Sequence, residues 1–241
     1  MPKWQTHRRL AILAAEAVGV GGELLRGLLA GVVEPDVARD RERVCGKRRC
    51  YYRDVRHHGG YLDKLVEYYY NLACFYKSRG DLYRAGVALG RAMHYLHDDS
   101  VKTRKWAIFD VHDEVEKGME YVSPNCDAVV ARRSTNPEEA FCLALRRSVE
   151  LLKRFVEEPV VDLDTARRLL WRGRWKKASA YLAAWLPTLL TAVASSAYFP
   201  FFFIASFIAT SILLSWTPWE YTVAMRAGLE IFKPDDYETA M

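Results

Sequence analysis

Apolar residues recur every three or four positions through most of the first 177 residues, which is the spacing of helices that pack on a core. Residues 7–33 follow this spacing around Gly19, Gly21 and Gly22, and Pro35 ends the run. Residues 61–77 follow it with a largely aliphatic and aromatic stripe. No stretch of the same region alternates apolar and polar residues, so we expect no sheet there. The pattern predicts an all-α fold.

Residues that start and stop helices divide this region into elements. Gly80 and Asp81 predict the end of one helix and the N-cap of the next, which runs from Leu82. A shorter helix is expected from about Ile108 to Tyr121. Asn136 before Pro137 predicts an N-cap and first turn for a helix that reaches about Glu157. Asp162 or Asp164 is expected to cap the helix that follows.

A long uncharged run sets the C-terminal part of the chain apart. No charged residue occurs in residues 178–219, which are 219 − 178 + 1 = 42 positions, and Tyr198, Phe199 and Pro200 interrupt them. Each half is just long enough to cross a hydrocarbon core about 30 Å thick. We expect a hydrophobic helical hairpin that anchors the protein in a membrane. The alternative is a buried hairpin inside a soluble bundle.

The distribution of charge and tryptophan predicts how this hairpin is oriented. Six basic residues lie between 167 and 177, and only Arg226 and Lys233 follow the run. We divide the chain into an all-helical domain, residues 1–177, the hairpin, and a polar tail, residues 220–241. By the positive-inside rule, the domain of residues 1–177 faces the cytoplasm. A hairpin also places Trp residues 171, 175, 216 and 219 at one interface. The charges within residues 7–33 argue against a signal peptide.

Composition adds less than the position of the charges does. The chain has 241 residues and a net charge of +5, which by itself favours no nucleic-acid partner. Eight basic residues lie between Val37 and Arg56. Such a loop is either a solvated surface segment or a binding site for an anionic substrate, in which Arg53 and Arg56 would contact a phosphate.

The five cysteines are too few and too scattered for a disulfide scaffold. Cys45 and Cys50 are close enough in sequence to close a small loop, and a lone pair of this kind is weak evidence for zinc. We expect free thiols or one disulfide that tightens this loop. A disulfide inside the cell would be unusual outside hyperthermophiles.

Two pairs of metal-ligand residues share one spacing within residues 89–116. His94 and Asp98 are four residues apart, which puts both side chains on one face of a helix, and His112 and Glu116 repeat this spacing. One such pair is more often part of a solvated helix face than of a metal site. Two pairs so close together favour a site for divalent cations.

The same residues resemble the zinc-dependent phospholipase C family. The resemblance rests first on the segment LGRAMHYLHD, which holds His94 and Asp98. It also includes His112 and Glu116 after this segment and Thr6-His7 before it. Residues 31–36, which end in Asp36, and His57 or His58 continue it, so that it covers residues 4–120. It implies two or three zinc ions with Asp98 as a bridge. The implied ligands are His7, His57 or His58, His94, Asp98, His112 and Glu116, with Asp36 as general base.

The chain departs from the family in two places. The family has Pro-x-His after the Asp of the central helix, whereas Asp98 is followed by Asp99, so that one ligand is missing unless His97 or Asp99 substitutes for it. Trp4 is internal here, whereas secreted family members bind zinc through an N-terminal Trp.

The sequence therefore predicts a zinc-dependent hydrolase of phosphodiesters, a phospholipase C-like enzyme that acts on phospholipid at the membrane through metal-activated water. Residues 1–177 would form its metal-binding hydrolase domain. One alternative is a zinc nuclease that acts on single strands, although such enzymes end the second ligand pair with Asp and not with Glu116. The other is a membrane or scaffold protein that has kept the fold without catalysis. No specific nucleic acid is expected, and the sequence leaves the oligomeric state open.

Overall fold

A computed structural model of the chain describes residues 3–45, 50–55, 62–102, 105–106, 109–110, 112–123, 125–126, 132–194, 197–226 and 237–238. For residues 3, 42, 44, 45, 105, 106, 109, 110, 112, 113, 163, 225, 226, 237 and 238 it describes the backbone alone. The chain divides into two compact units. The first comprises residues Met1–Val160 with Ile231–Met241, and the second comprises Val161–Glu230.

The first unit is built from helices with short strands between them. Its helices are α1 Lys3–Val18, α2 Gly22–Gly31, α3 Glu34–Val37, α4 Leu62–Ser78, α5 Leu82–Ser100, α6 His112–Met119 and α7 Pro137–Glu157. Its strands are β1 Arg41–Cys45, β2 Cys50–Asp54, β3 Lys105–Trp106, β4 Phe109–Asp110 and β5 Tyr237–Glu238. The helical class that the sequence predicts is confirmed.

The expectation of no sheet in the first 177 residues is wrong at residues 41–54 and 105–110. Strand β1 pairs antiparallel with β2 and β5, and β3 pairs antiparallel with β4. The register places Glu42 opposite Arg53. Most of β2 is exposed on both faces, so neither face needs apolar residues and no alternation marks the strand in the sequence. The basic loop is therefore a hairpin.

The glycines in residues 7–33 break the predicted helix in two. Gly19 and Gly22 have φ angles of 77° and 62°, a left-handed conformation that L side chains rarely adopt. Helix α1 therefore ends at Val18, and α2 begins at Gly22.

Four other glycines bring α2 and α5 into backbone contact. They lie four residues apart on each helix, Gly27 and Gly31 on α2 and Gly86 and Gly90 on α5. A Cβ atom at Gly31 would lie 2.0 Å from the carbonyl oxygen of Val87, and one at Gly90 would lie 2.4 Å from that of Leu28. No side chain fits between the helices, so the C-terminal end of α2 lies directly against the middle of α5.

Helix α5 packs against α2, α4 and α7, and nearly all of its side chains from Ala85 onward are buried. Its predicted N-cap is confirmed, since the Asp81 carboxylate accepts a hydrogen bond from the backbone N–H of Arg84. Asn136 caps α7 as predicted. Helix α6 is shorter than the sequence predicts, because β3 and β4 occupy the residues before it.

A disulfide joins Cys126 to Cys142 on α7, a pairing that differs from the Cys45–Cys50 loop that the sequence suggests. Sixteen residues separate the two cysteines, so only the fold could bring them together. Cys50 is also disulfide-bonded, and the register places it opposite Cys45, whose side chain lies outside the described residues. Cys74 is free and buried.

The second unit contains α8 Leu163–Val193, α9 Phe199–Ser215 and α10 Trp219–Arg226. Asp162 caps α8, accepting hydrogen bonds from the backbone N–H groups of Asp164 and Thr165. The predicted division at residue 177 falls within α8, since the second unit already begins at Val161.

Helices α8 and α9 form a hairpin whose facing surfaces are joined by polar groups. The hydroxyl of Thr188 bonds to the carbonyl oxygen of Phe202 and to Ser206, and Ser206 in turn donates to the carbonyl oxygen of Ala184. Trp185 donates from its indole nitrogen to Thr210. Hydroxyl and small residues commonly hold adjacent helices together in this way inside lipid.

One helical stretch in the described part of the chain, Phe199–Ala224, is long and apolar enough to cross a membrane, and only 6% of its apolar 18-residue window is buried. The sequence predicts a second span in the preceding half. There the uncharged part of α8 is 193 − 178 + 1 = 16 residues. At about 1.5 Å per residue it is shorter than the roughly 30 Å of a hydrocarbon core.

Helix α10 returns to the start of the hairpin. Lys176 forms an ion pair with Glu220 and lies 5.9 Å from the ring centre of Trp219. A Cβ atom at Gly173 would contact the ring of Tyr221. Trp171 and Trp175 are neighbours on α8, with ring centres 5.8 Å apart. The start and the end of the uncharged run therefore lie at one end of the hairpin.

Candidate metal centre

His94 and Asp98 lie one turn apart on α5, with His94 Nε2 3.2 Å from Asp98 Oδ2. The spacing predicts this shared face. Both residues are almost fully buried. An imidazole and a carboxylate so close together in the interior must share a proton or a cation, because an isolated buried charge is costly.

The second ring nitrogen of His94 is held by the end of α2. His94 Nδ1 lies 2.9 Å from the carbonyl oxygen of Val32. Since a carbonyl oxygen only accepts, Nδ1 must donate, and the neutral imidazole then keeps its lone pair on Nε2. That nitrogen faces Asp98. Metal-binding histidines usually donate their second ring N–H to a carbonyl oxygen or carboxylate, as Nδ1 of His94 does here.

His7 reaches the same place from α1. Its Nε2 lies 3.5 Å from Asp98 Oδ1, and its ring centre lies 4.5 Å from that of His94. One ligand atom from each of His7, His94 and Asp98 falls within 4.8 Å of the other two. Asp98 therefore turns one carboxylate oxygen towards each imidazole, and the three residues together could hold a metal ion.

Asp36 of α3 completes this side of the cluster. Its Oδ1 lies 3.8 Å from His94 Nε2, and its Oδ2 is buried without a hydrogen-bond partner in the part of the chain that the structure describes. A buried carboxylate oxygen is rarely left unsatisfied. Its position fits a cation, so Asp36 could be a ligand as well as the general base that the resemblance implies.

A network that the sequence analysis missed holds the segment around Asp36. The guanidinium of Arg91, which is 1% exposed, donates to Glu34, to the carbonyl oxygen of Ala38 and to Asp40. Tyr69 and Tyr95 donate their hydroxyls to the same buried Asp40. An arginine on the apolar side of a predicted core helix was the signal that could have revealed it, since a buried charge requires partners.

Glu116 of α6 faces the cluster from the other side. Together with Thr6, His7, His97, Asp98 and apolar residues it lines a cavity of about 10 Å³, roughly the space of one water molecule. Glu116 is buried. His112 lies one turn earlier on α6, and its side chain is outside the described residues. The second ligand pair is thus placed near the first, through Glu116.

The two residues considered as substitutes for the missing ligand differ in position. His97 Nδ1 lies 3.0 Å from His7 Nδ1, and His97 Nε2 lies 2.9 Å from the hydroxyl of Ser148 on α7. Asp99 instead forms ion pairs with Arg133 and Arg147. Asp99 is therefore committed elsewhere.

Four predicted site residues remain, Arg53, Arg56, His57 and His58. His57, His58 and Arg56 lie outside the described residues. Arg53 is on β2, opposite Glu42 of β1. Their predicted roles stay predictions.

The three histidines have different protonation behaviour in the metal-free protein. Burial lowers the pKa of His7 well below its ordinary value, with a further lowering from His94. Burial and the neighbouring His94 lower the pKa of His97 to about 3. Burial also opposes protonation of His94, but Asp98 and Asp36 outweigh it and raise its pKa to about 9. In the absence of a metal, the proton on His94 thus takes the place of a cation beside Asp98.

No protein-family model, curated protein or solved structure matches the chain.

Proposed function

We propose that this protein is a zinc-dependent hydrolase of phosphodiesters, similar in its site to zinc-dependent phospholipase C. The observation that carries the proposal is the buried group of His7, His94 and Asp98, in which Val32 fixes the His94 tautomer that leaves Nε2 for a metal. When bound, zinc ions would supply Lewis acidity that activates water and neutralises the oxygens of a phosphodiester.

The residues of the chain have separate roles in this proposal. His7, His94 and Asp98 would hold the zinc, since the carboxylate of Asp98 turns one oxygen towards the Nε2 atom of each imidazole. Asp36 accepts a proton from the attacking water, since its Oδ2 is not engaged by a described residue. Glu116 with His112, and His57 or His58, complete a set of two or three ions.

The choice of a phosphodiester rests on the residues that resemble the phospholipase C family and on the charge of the β1–β2 hairpin. Arg53 of this hairpin, together with Arg56, is proposed to bind a phosphate. The hairpin begins at Arg41, a few residues after Asp36. Arg91 fixes the segment between them through Glu34 and Asp40.

Anchoring in a membrane suits a phospholipid substrate. We propose that α8 and α9 enter the bilayer together, since α10 returns to the start of α8 through Lys176 and Glu220. Lysines at the start of the apolar part of α8 can extend towards the interface, which compensates for its short length. Attachment to the membrane raises the local concentration of a lipid substrate for the tethered first unit.

A second candidate is a membrane or scaffold protein without catalysis. It is favoured by the fact that protonated His94, Asp98 and the carbonyl oxygen of Val32 already satisfy one another without a metal. Asp36 speaks against it, because this network leaves its buried Oδ2 without a described partner.

Zinc content and hydrolysis distinguish the two candidates. The protein is purified in detergent without chelators, its zinc is measured by plasma emission, and it is assayed on a panel of phosphodiesters. The panel includes choline, ethanolamine, inositol and glycerol phospholipids as well as single-stranded nucleic acid. Bound zinc with hydrolysis of a phospholipid supports the proposal, and hydrolysis of nucleic acid alone would favour the nuclease. Absence of zinc, with no hydrolysis after zinc is added, would leave the non-catalytic candidate.

A further inference from the structure

His97 is a fully buried histidine that bonds to two polar groups on different helices. Its Nδ1 lies 3.0 Å from His7 Nδ1, and its Nε2 lies 2.9 Å from the hydroxyl of Ser148. The rings of His7 and His97 are nearly parallel, with 11° between their planes. The three side chains form a continuous chain of hydrogen bonds from α1 through α5 to α7.

The protonation of this chain follows from the atom that His7 turns towards the cluster. His7 Nε2 faces Asp98, so Nε2 is the atom that would bind a metal. A neutral imidazole that binds through Nε2 carries its hydrogen on Nδ1. His7 Nδ1 therefore donates, His97 Nδ1 accepts, and His97 must carry its own hydrogen on Nε2, where it donates to Ser148.

We propose that His97 is a positioning residue for His7, and not the substitute metal ligand that the sequence suggests. The inference rests on the proposed function, since it assigns a role towards the same metal centre. The hydroxyl of Ser148 accepts from His97 Nε2 and holds the His97 ring in place, and His97 Nδ1 accepts from His7 and thereby holds the plane of the His7 ring. Metal-binding histidines usually donate their second N–H to such a partner, and loss of that partner typically weakens metal binding about 10- to 100-fold.

The geometry distinguishes this role from that of a ligand. The Nδ1 atom of His97 already lies at hydrogen-bond distance from His7 and its Nε2 from Ser148, so both nitrogens are engaged. A ligand needs one nitrogen with a lone pair directed at the ion. Binding a metal through His97 would break one of two buried hydrogen bonds and leave a buried polar group unsatisfied, which is costly.

Two substitutions at position 97 test the roles of the two ring nitrogens one at a time. In His97→Asn the amide oxygen can take the place of Nδ1 and still accept from His7, whereas in His97→Gln the amide lies farther out, near the place of Nε2. We expect His97→Gln to weaken zinc binding about 10- to 100-fold. We expect His97→Asn to retain most of the affinity, and both variants to keep the zinc stoichiometry of the wild type.

Ser148 provides a test at a distance from the metal. Ser148→Ala is expected to weaken zinc binding less than His97→Gln does, because the bond from His97 to His7 remains, and Ser148→Thr is expected to retain the affinity because it keeps the hydroxyl. The matched control is Ser100→Ala, which removes another buried hydroxyl, one that donates to the carbonyl oxygen of Leu96. This control should leave zinc affinity unchanged. The unfolding temperature of each variant is measured, and affinities are compared where all variants are folded.

Nitrogen-15 NMR of histidine-labelled full-length protein in detergent reads the tautomers directly. With zinc bound, His7 should carry its hydrogen on Nδ1 and His97 on Nε2, and Ser148→Ala should shift only the latter signal strongly. Loss of one zinc ion per chain in both position-97 variants would overturn the proposal in favour of a ligand. Unchanged affinity in His97→Gln and Ser148→Ala would overturn it as well. If the wild type binds no zinc, the proposed function fails and this inference fails with it.

Discussion

Asp98 lies between two imidazoles and offers one oxygen to each, at 3.5 Å from His7 and 3.2 Å from His94. Replacing it by Asn keeps the size of the side chain but removes the charge that balances a cation. We expect Asp98→Asn to weaken zinc binding by more than about 100-fold, because loss of a residue that only supports a ligand already costs about 10- to 100-fold. Plasma emission and a chelator competition assay measure this change.

The control for this substitution is its neighbour on the same helix. Asp99 pairs with Arg133 and Arg147, away from the cluster. Asp99→Asn should therefore lower stability without loss of zinc. Full zinc binding and full hydrolysis in Asp98→Asn would reject the metal centre.

Protonation of His94 makes metal binding depend on pH. Burial disfavours the charged ring, but Asp98 and Asp36 raise its pKa to about 9, so that metal-free His94 carries a proton on Nε2 at pH 7. A metal ion must displace this proton. We expect zinc affinity to rise with pH up to about 9 and about one proton to be released from His94 per cluster filled. Calorimetric titration in buffers of different ionisation enthalpy measures this release.

Stability of the metal-free protein should change in the opposite direction. The folded pKa of His94 lies above its ordinary value of 6.5, so its contribution is fully present below pH 6.5 and is lost as the pH rises to about 9. Zinc affinity that does not vary with pH, without proton release, would contradict the protonation of His94.

At the scale of elements, the contact between α2 and α5 sets the geometry of the cluster. A Cβ atom at Gly90 would lie 2.4 Å from the carbonyl oxygen of Leu28 and 2.5 Å from the nitrogen of Val32. Val32 is the residue whose carbonyl oxygen accepts from His94. We expect Gly90→Ala to lower the free energy of unfolding by about 1–3 kcal/mol or more, since overpacking forces the backbones apart. It should also weaken zinc binding by moving Val32.

Gly21→Ala serves as the control for this substitution. A Cβ atom at Gly21 would meet no atom within 4 Å. Chemical denaturation of both variants gives their stabilities. Wild-type stability in Gly90→Ala would show that the two helices are not in backbone contact.

At the scale of the whole molecule, we expect the second unit, and not the first, to make the protein depend on detergent. Deleting residues 161–230 and joining Val160 to Ile231 by a flexible linker removes the second unit and keeps β5, which pairs with β1. The full-length protein should require detergent, because apolar side chains of α8 and α9 are exposed. The deletion variant should be soluble, bind zinc, and lose more activity on bilayers than on short-chain substrates. Purification of the full-length protein as a soluble monomer would contradict the membrane anchor.

The disulfide between Cys126 and Cys142 bears on the compartment of the first unit. The basic residues before the uncharged run predict that this unit faces the cytoplasm, whereas disulfides persist mainly in oxidising compartments or in hyperthermophiles. We expect Cys126 and Cys142 to resist alkylation after acid quenching of intact cells, and reduction to lower stability by about 2–4 kcal/mol. Mass spectrometry of the alkylated protein decides this. Labelling of both cysteines before reduction would contradict the bond and agree with a cytoplasmic location.

The sequence by itself determined the features that depend on residues a few positions apart. Asp81 and Asn136 cap their helices as predicted, because a cap bonds to a backbone N–H two or three residues away. The i and i+4 spacing placed His94 and Asp98 on one face of α5. The uncharged run of residues 178–219 likewise predicted the hairpin of α8 and α9, because the length and apolarity of a segment can be read from neighbouring residues.

The tertiary structure alone decided which distant groups meet. Neither the bond from His94 to Val32 nor the ion pair of Arg91 and Asp40 follows from local spacing, because each joins residues more than 50 positions apart. The same holds for His97, whose partners His7 and Ser148 lie on other helices and distinguish a positioning residue from a ligand. Such pairs form only where packing brings two helices together, and here the glycines of α2 and α5 permit that approach.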